Sequence, residues 1–115
     1  MALSYKSMSP VLVKDGLQRN DVLIFHLKPR RMDVRIMRNV NGKQTLLSWN
    51  HRGDRRSFID PPMPVSQVGE CAALLCDAAG LDNQERLNDQ EIAELRRFFS
   101  DYFQDEHELI AYRAL

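Results

Sequence analysis

Residues 21–50, DVLIFHLKPRRMDVRIMRNVNGKQTLLSWN, decide the fold of this chain. Asn41-Gly42 predicts a two-residue hairpin turn, because both central positions of a type I′ turn need a positive φ, which Asn and Gly tolerate best. A hairpin centred on this pair has a fixed register, in which Ile36 faces Leu47. One face of the hairpin can pack on a core, whereas the other face is mixed. The apolar face carries Met32, Val34, Ile36, Leu47 and Trp49.

The stretch before this hairpin, residues 22–28, predicts a third strand. Leu23 and Phe25 lie on one face of it, and Val22 and Ile24 lie on the other. Apolar residues on both faces are typical of a central strand that is covered on each side. Shorter strands are predicted at the two ends of the β-rich region, over residues 10–13 and 57–59.

A proline-rich segment, DPPMP at residues 60–64, separates two kinds of sequence. Proline is excluded from helix and sheet interiors, so this segment is expected to be extended and stiff. The 115 residues are predicted to form a single domain, because the chain is long enough for one core and too short for two. The domain divides into a basic β half (1–60), a Pro-rich connection (61–65) and an acidic helical half (66–115).

The acidic half predicts two helices. The first is expected to run from Ser66, as its N-cap, to Ala79, with Gly80 at the C′ position. The second begins at Asn88, where Glu91 completes a capping box, and it continues with apolar residues at helical spacing.

Residues 109–115 resume an apolar pattern after a break of charged residues. This pattern predicts a short third helix that docks on the core. The alternative is an exposed tail that binds another chain. The predicted fold is an α+β domain: an N-terminal antiparallel β-meander of three to five strands, followed by two or three C-terminal helices that pack on one face.

The composition favours a soluble globular protein of the cytoplasm. Hydrophobic residues make up 43% of the chain and charged residues 28%. The longest apolar run, residues 22–27, is far shorter than the ~20 residues that span a bilayer, and the N-terminal residues do not resemble a secretory signal. Cys71 and Cys76 point roughly 140° apart on the first predicted helix, so we expect two buried thiols rather than a disulfide or a metal site.

No residue pattern points to catalysis. The sequence lacks a Gly-rich phosphate loop and the HExxH, GxSxG and paired CxxC patterns of metal and nucleophile sites. His26 lies within a predicted strand, where a buried histidine is the ordinary role. His107 has acidic neighbours on both sides, which indicates a solvated cluster, with a weak divalent-metal site as the alternative. We therefore expect a protein that is not an enzyme, with no catalytic residue, cofactor or metal.

Charge is divided unevenly along the chain, although its net value is zero. Residues 1–60 contain twelve Lys or Arg and five Asp or Glu, and residues 61–115 contain four and eleven, so the two parts carry +7 and −7. In the predicted register, arginines gather where the base of the hairpin meets the loop that follows it. Such a cluster binds phosphates, and planar neighbours stack on bases, which predicts binding of nucleic acid, including single strands. The predicted nucleic-acid-binding residues are Lys28, Arg30, Arg31, Arg35, His51, Arg52, Arg55 and Arg56.

Two alternatives to nucleic-acid binding remain open. In the first, the arginines pair with the acids of the second half and hold the helices to the sheet. In the second, aromatic side chains near the C-terminus form an interface core, because aromatic residues are enriched in such cores. This second alternative predicts a protein–protein adaptor or inhibitor, or a homodimer. Its predicted interface residues are Phe98, Phe99, Tyr102, Phe103 and Tyr112.

Overall fold

An antiparallel sheet of six strands runs through the computed structural model, which describes residues 17–48, 58–59, 62–103 and 108–115. The strands follow the spatial order β3-β2-β1-β6-β5, and β4 also pairs with β2. In chain order the described elements are β1 (Val22–Leu27), β2 (Met32–Val40), β3 (Lys43–Ser48), β4 (Phe58–Ile59), α1 (Val65–Ala78), β5 (Gln84–Arg86), α2 (Asp89–Phe98) and β6 (Leu109–Ala114).

The predicted hairpin is confirmed. Asn41 and Gly42 have φ values of 54° and 81°, and the Asn39 side chain accepts a hydrogen bond from the Gly42 N–H at 2.8 Å. Ile36 pairs with Leu47, as the register requires. The predicted strand over residues 57–59 is confirmed for Phe58–Ile59, which form β4. Ser57, Trp49 and the predicted strand over residues 10–13 lie outside the described residues.

The central strand is β1, which pairs with β2 on one side and with β6 on the other. Leu23, Ile24 and Phe25 are all fully buried, so both faces of this strand are covered. Alternation of apolar residues along β1 therefore creates two cores, one on each face of the sheet.

Each helix covers a different face of the sheet. In the first core, Leu23 and Phe25 pack with Val68, Leu75 and the other buried residues of α1. The prediction that the helices pack on one face is not confirmed, because both faces of β1 are apolar and each needs a cover. The second core joins α2 and the opposite face; its buried members are Val22, Ile24, Leu87, Leu95, Phe103, Leu109 and Ala111.

The prediction of a third helix near the C-terminus is wrong. Residues 109–114 form β6, in which Ile110 pairs with Phe25 and Ala111 pairs with Ile24. A short apolar run has too few residues to distinguish a helical period from a strand period, and here its residues alternate between the two cores. The acidic half thus supplies two strands, β5 and β6, as well as both described helices.

The helix ends follow local signals in part. Asn88 caps α2, since its side chain accepts from the Glu91 N–H at 2.9 Å while the Glu91 carboxylate accepts from the Asn88 N–H at 3.1 Å, and the predicted capping box is confirmed. Gly80 has a φ of 76°, as predicted for a C′ residue. Ser66 is not the N-cap of α1, because the helix already begins at residue 65 after Pro64, whose fixed φ directs the chain into the first turn.

Candidate functional site

The face of the sheet that carries α2 is only partly covered. The helix packs over β1 and β6, whereas on the same face of β2 and β3 the side chains of Met37 and Leu46 are only half-buried. A groove of about 190 Å³ lies between α2 and β2. We call it the α2 groove; its lining residues include Met37, Gln44, Glu91, Glu94, Leu95, Phe98 and Arg113.

Phe98 forms a wall of the α2 groove and is 65% exposed. Its ring contacts Phe99 edge-on, with centroids 4.9 Å apart, and Phe99 is half-buried against the second core. Tyr102, in the turn after the helix, is 59% exposed. Three of the predicted interface residues therefore lie at the C-terminal end of α2 and in the turn that follows it, and two of them face solvent.

The other two predicted interface residues do not belong to this surface. Phe103 is buried in the second core, where its ring meets His26 edge-on at 5.6 Å. Tyr112 packs against the first core, on the opposite face of the sheet. Its hydroxyl lies so near Gly69 of α1 that a Cβ there would be 2.9 Å away. Both side chains hold the domain together.

Arg113 connects the α2 groove to the edge of the sheet. Its Nη1 donates to Glu85 at 3.0 Å and its Nη2 donates to Glu91 at 2.8 Å. The hydrogen bond from Arg113, together with the bond from the Asn88 N–H, lowers the pKa of Glu91. Glu94 is exposed and makes no ion pair within the described residues. The groove therefore has apolar surface at its centre and two carboxylates against one guanidinium around it.

The predicted basic cluster is partly neutralised by an acid of its own half. Asp33 binds Lys28 Nζ at 2.9 Å and Arg31 Nε at 3.0 Å. Arg30 is exposed and makes no ion pair with any residue of the described ranges. Arg35 is half-buried and lies two positions beyond Asp33, on the same face of β2. We call Lys28, Arg30, Arg31 and Arg35 the basic turn.

The remaining predicted nucleic-acid-binding residues, His51, Arg52, Arg55 and Arg56, lie outside the described residues. The strands on either side of this segment both pair with β2 near the basic turn: Ser48 at the end of β3 pairs with Arg35, and Phe58 at the start of β4 pairs with Asp33.

A second concave region, which we call the polar cavity, lies where β1 begins. Its volume is about 440 Å³, and it is bounded by residues 18–22, the end of β2, Gln44 and Arg113. Asp21 is a buried residue, and its carboxylate binds Arg38 Nε at 2.9 Å and Arg38 Nη2 at 2.7 Å. The sequence did not predict this region, because residues 17–20 show no pattern of a helix or strand and Arg113 lies in a segment predicted to be a helix.

Among the residues that the structure describes, the histidine and both cysteines are buried. His26 is 2% exposed, as expected of a core histidine. Cys71 and Cys76 are buried and do not form a disulfide, as predicted, and burial, with a smaller contribution from Glu70, raises the pKa of Cys71 to about 12. Burial, and to a lesser extent Asp77, also raises the pKa of Cys76. These thiols are unsuited to nucleophilic chemistry because the thiolate is the reactive form.

The residues that the structure describes contain neither a metal-binding cluster nor a membrane-spanning helix. Across those residues, no three His, Cys, Asp or Glu side chains come together in a group that could hold a metal ion. His107, with its acidic neighbours, lies outside them. Neither described helix has the length and apolar character needed to cross a bilayer.

No protein-family model, no curated protein and no solved structure matches this chain.

Proposed function

We propose that this chain is a non-enzymatic binding protein whose α2 groove receives a large apolar side chain of a protein partner, next to a lysine or arginine of that partner. The observation that carries the proposal is the exposure of Phe98 on a wall of the groove, at 65%. An aromatic side chain can bury 150–250 Å², at roughly 25 cal/mol per Å² of apolar surface, so its exposure leaves a large binding contribution unused.

Charge determines which partner fits. Glu91 and Glu94 stand beside the apolar centre of the α2 groove, and Arg113 is already shared between Glu85 and Glu91. The carboxylates of Glu91 and Glu94 would repel a phosphate in this groove, whereas Glu94 would attract a lysine or arginine of a protein partner. Apolar anchors surrounded by polar contacts are the usual composition of a binding hot spot.

Selection from a phage-displayed library of random short peptides tests this proposal. We expect the enriched peptides to place a large apolar residue beside Lys or Arg, and we expect Phe98→Ala to abolish their binding. Val65→Ala is the matched control, because Val65 is also an exposed apolar residue, 45% accessible, at the start of α1. Enrichment of acidic peptides, or equal binding by the Phe98→Ala variant, would contradict the proposal.

A second copy of this chain is an alternative occupant of the α2 groove. Sedimentation equilibrium distinguishes it, since a homodimer through this groove doubles the mass and becomes a monomer in the Phe98→Ala variant. A concentration-independent monomer supports a different protein as the partner. We also propose a cytoplasmic location, because Cys71 and Cys76 do not form a disulfide, and thiols usually stay reduced in that compartment.

A second candidate function is binding of nucleic acid at the basic turn, and one observation favours it. Lys28 and Arg31 both pair with Asp33, and Arg30 is exposed beside them without an ion pair in the described part of the chain. A local excess of cations attracts phosphates. The predicted cluster also includes His51, Arg52, Arg55 and Arg56.

Gel shifts on single-stranded and double-stranded DNA and RNA test this second candidate. Binding should weaken steeply between about 50 and about 200 mM salt, because phosphate contacts release counterions. The double variant Arg30→Ala/Arg31→Ala should lose binding. Arg86→Ala is the control, because Arg86 is an exposed arginine on β5, at the far edge of the sheet. Binding that persists in the double variant contradicts the assignment of the basic turn.

A further inference from the structure

The polar cavity lies at the opposite end of β1 from the basic turn. The turn of residues 18–21 enters the strand at this end, and it is fixed by bonds from the Asn20 N–H to the Ala114 carbonyl at 2.7 Å and from the Ala114 N–H to the Asp21 carbonyl at 2.8 Å. The volume of about 440 Å³ is within the ≈ 300–1,000 Å³ of small-molecule sites. The cavity is therefore a built feature of the sheet end and large enough for a small solute.

Guanidinium groups outnumber carboxylates among the residues that line the polar cavity. Three guanidinium groups line it, from Arg19 in the turn, Arg38 on β2 and Arg113 on β6, against the one carboxylate of Asp21. That carboxylate already accepts three hydrogen bonds, two from Arg38 and one from the Gln18 N–H at 2.8 Å. Arg19 is exposed and has no ion-pair partner in the described ranges. The carboxylate is therefore satisfied internally. Because Arg38 is paired with Asp21, and Arg113 with Glu85 and Glu91, the positive charge at the cavity that no described carboxylate offsets is that of Arg19.

The donors of the polar cavity are held in place before any ligand arrives. Asp21 fixes the plane of the Arg38 guanidinium by a two-point bond, and Arg113 is held by Glu85 and Glu91. Asn39 uses its carbonyl oxygen to accept from the Gly42 N–H, which leaves its NH₂ group as a donor. Donors that are ordered in advance lose little conformational entropy on binding.

We propose that the polar cavity binds the oxyanion group, a phosphate or a carboxylate, of a small polar solute. Guanidinium forks match the two oxygens that such a group presents, and charge-assisted hydrogen bonds are about twice as strong as neutral ones. Side-chain amides around the cavity, from Gln18, Asn39 and Gln44, suit the hydroxyl or amide groups of the rest of the solute. The polar cavity adjoins the α2 groove and shares Met37, Gln44 and Arg113 with it, but the proposed oxyanion site does not depend on the function proposed for the groove.

Titrations with inorganic phosphate and with malonate, followed by ¹⁵N NMR, test this proposal, and sodium chloride at equal ionic strength is the reference. We expect saturable shifts of the Asn39 and Gln44 side-chain amides, with a Kd of about 1 mM or lower. The two probes distinguish the sources, because a phosphate site responds to the first and a carboxylate site to the second. Shifts equal to those with chloride, or shifts centred on Lys28 to Arg31, would overturn the proposal.

The Arg19→Gln variant provides the second arm of the test. It removes an exposed guanidinium that makes no ion pair with described residues, so the fold should remain intact, and dispersion of the NMR spectrum verifies this. Affinity for the probe that binds should fall about tenfold, the effect of losing one charge-assisted bond. Arg97→Gln, an exposed arginine on α2 outside the cavity, is the matched control and should bind normally. Equal affinity of Arg19→Gln and the unmodified protein would also overturn the proposal.

Discussion

Arg38, on β2, donates two hydrogen bonds to the carboxylate of Asp21, the residue directly before β1. The bond from Nε is 2.9 Å long and the bond from Nη2 is 2.7 Å long. The Asp21 side chain is almost completely buried, at 2% exposed, whereas the Arg38 side chain is 19% exposed. The pair closes one end of the sheet and forms part of the floor of the polar cavity.

Arg38→Met should destabilise the protein by about 3 kcal/mol, because it leaves the buried carboxylate of Asp21 without its charged partner. Urea unfolding measures this change in the free energy of unfolding. Arg86→Met, at an exposed arginine on β5, is the control and should change the free energy by less than about 0.5 kcal/mol. A loss below about 1 kcal/mol for Arg38→Met would show that this ion pair does not hold the sheet end.

Glu91 should make stability depend on pH in the acidic range. Its pKa is lowered in the folded protein, first by the hydrogen bond from Arg113 and then by the bond from the Asn88 N–H. A lowered pKa contributes stability above the ordinary glutamate value of 4.5, and this contribution is lost as the pH falls through the folded-state value.

Glu91→Gln isolates this contribution, because glutamine keeps an acceptor for the capping box and removes the charge. We expect the free energy of unfolding of the variant to fall less steeply with acidification than that of the unmodified protein, as measured by urea unfolding across the acidic range. Identical slopes for the two proteins would mean that Glu91 titrates normally.

Cys71 and Cys76 should resist thiol reagents in the native protein. Burial raises the pKa of Cys71 to about 12 and also raises that of Cys76, so few thiolates exist at about pH 8. Reaction with a chromogenic disulfide should be slow without denaturant and should accelerate as urea populates the unfolded state. Rapid labelling of both thiols in the native protein would contradict the packing of α1 on the first core.

Local sequence signals were sufficient for part of the fold. Asn41-Gly42 and Asn88 with Glu91 are patterns in which a few adjacent residues determine the backbone, so the hairpin register and the start of α2 were predictable. The strand over residues 109–114 was not predictable, because a six-residue apolar run is compatible with a short helix as well as with a strand. Only pairing with β1 decides between the two.

The candidate site depended on information that the sequence does not carry. Phe98 and Phe103 belong to one aromatic stretch, yet one is 65% exposed and the other 4%. Their difference comes from where α2 ends and which of its sides meets the sheet. Arg113 reaches the polar cavity because β6 is a strand, and sequence motifs alone do not show which distant segments lie side by side. Burial at these positions is a property of the assembled domain.

The affinity of a selected peptide for the α2 groove, measured by calorimetry on the unmodified, Phe98→Ala and Val65→Ala proteins, tests the central claim most directly. If Phe98 is the anchor of a partner site, Phe98→Ala should weaken binding by about 30-fold or more, the loss of about 2 kcal/mol expected of a hot spot, while Val65→Ala binds normally. An affinity of Phe98→Ala within about twofold of the unmodified protein would contradict the account.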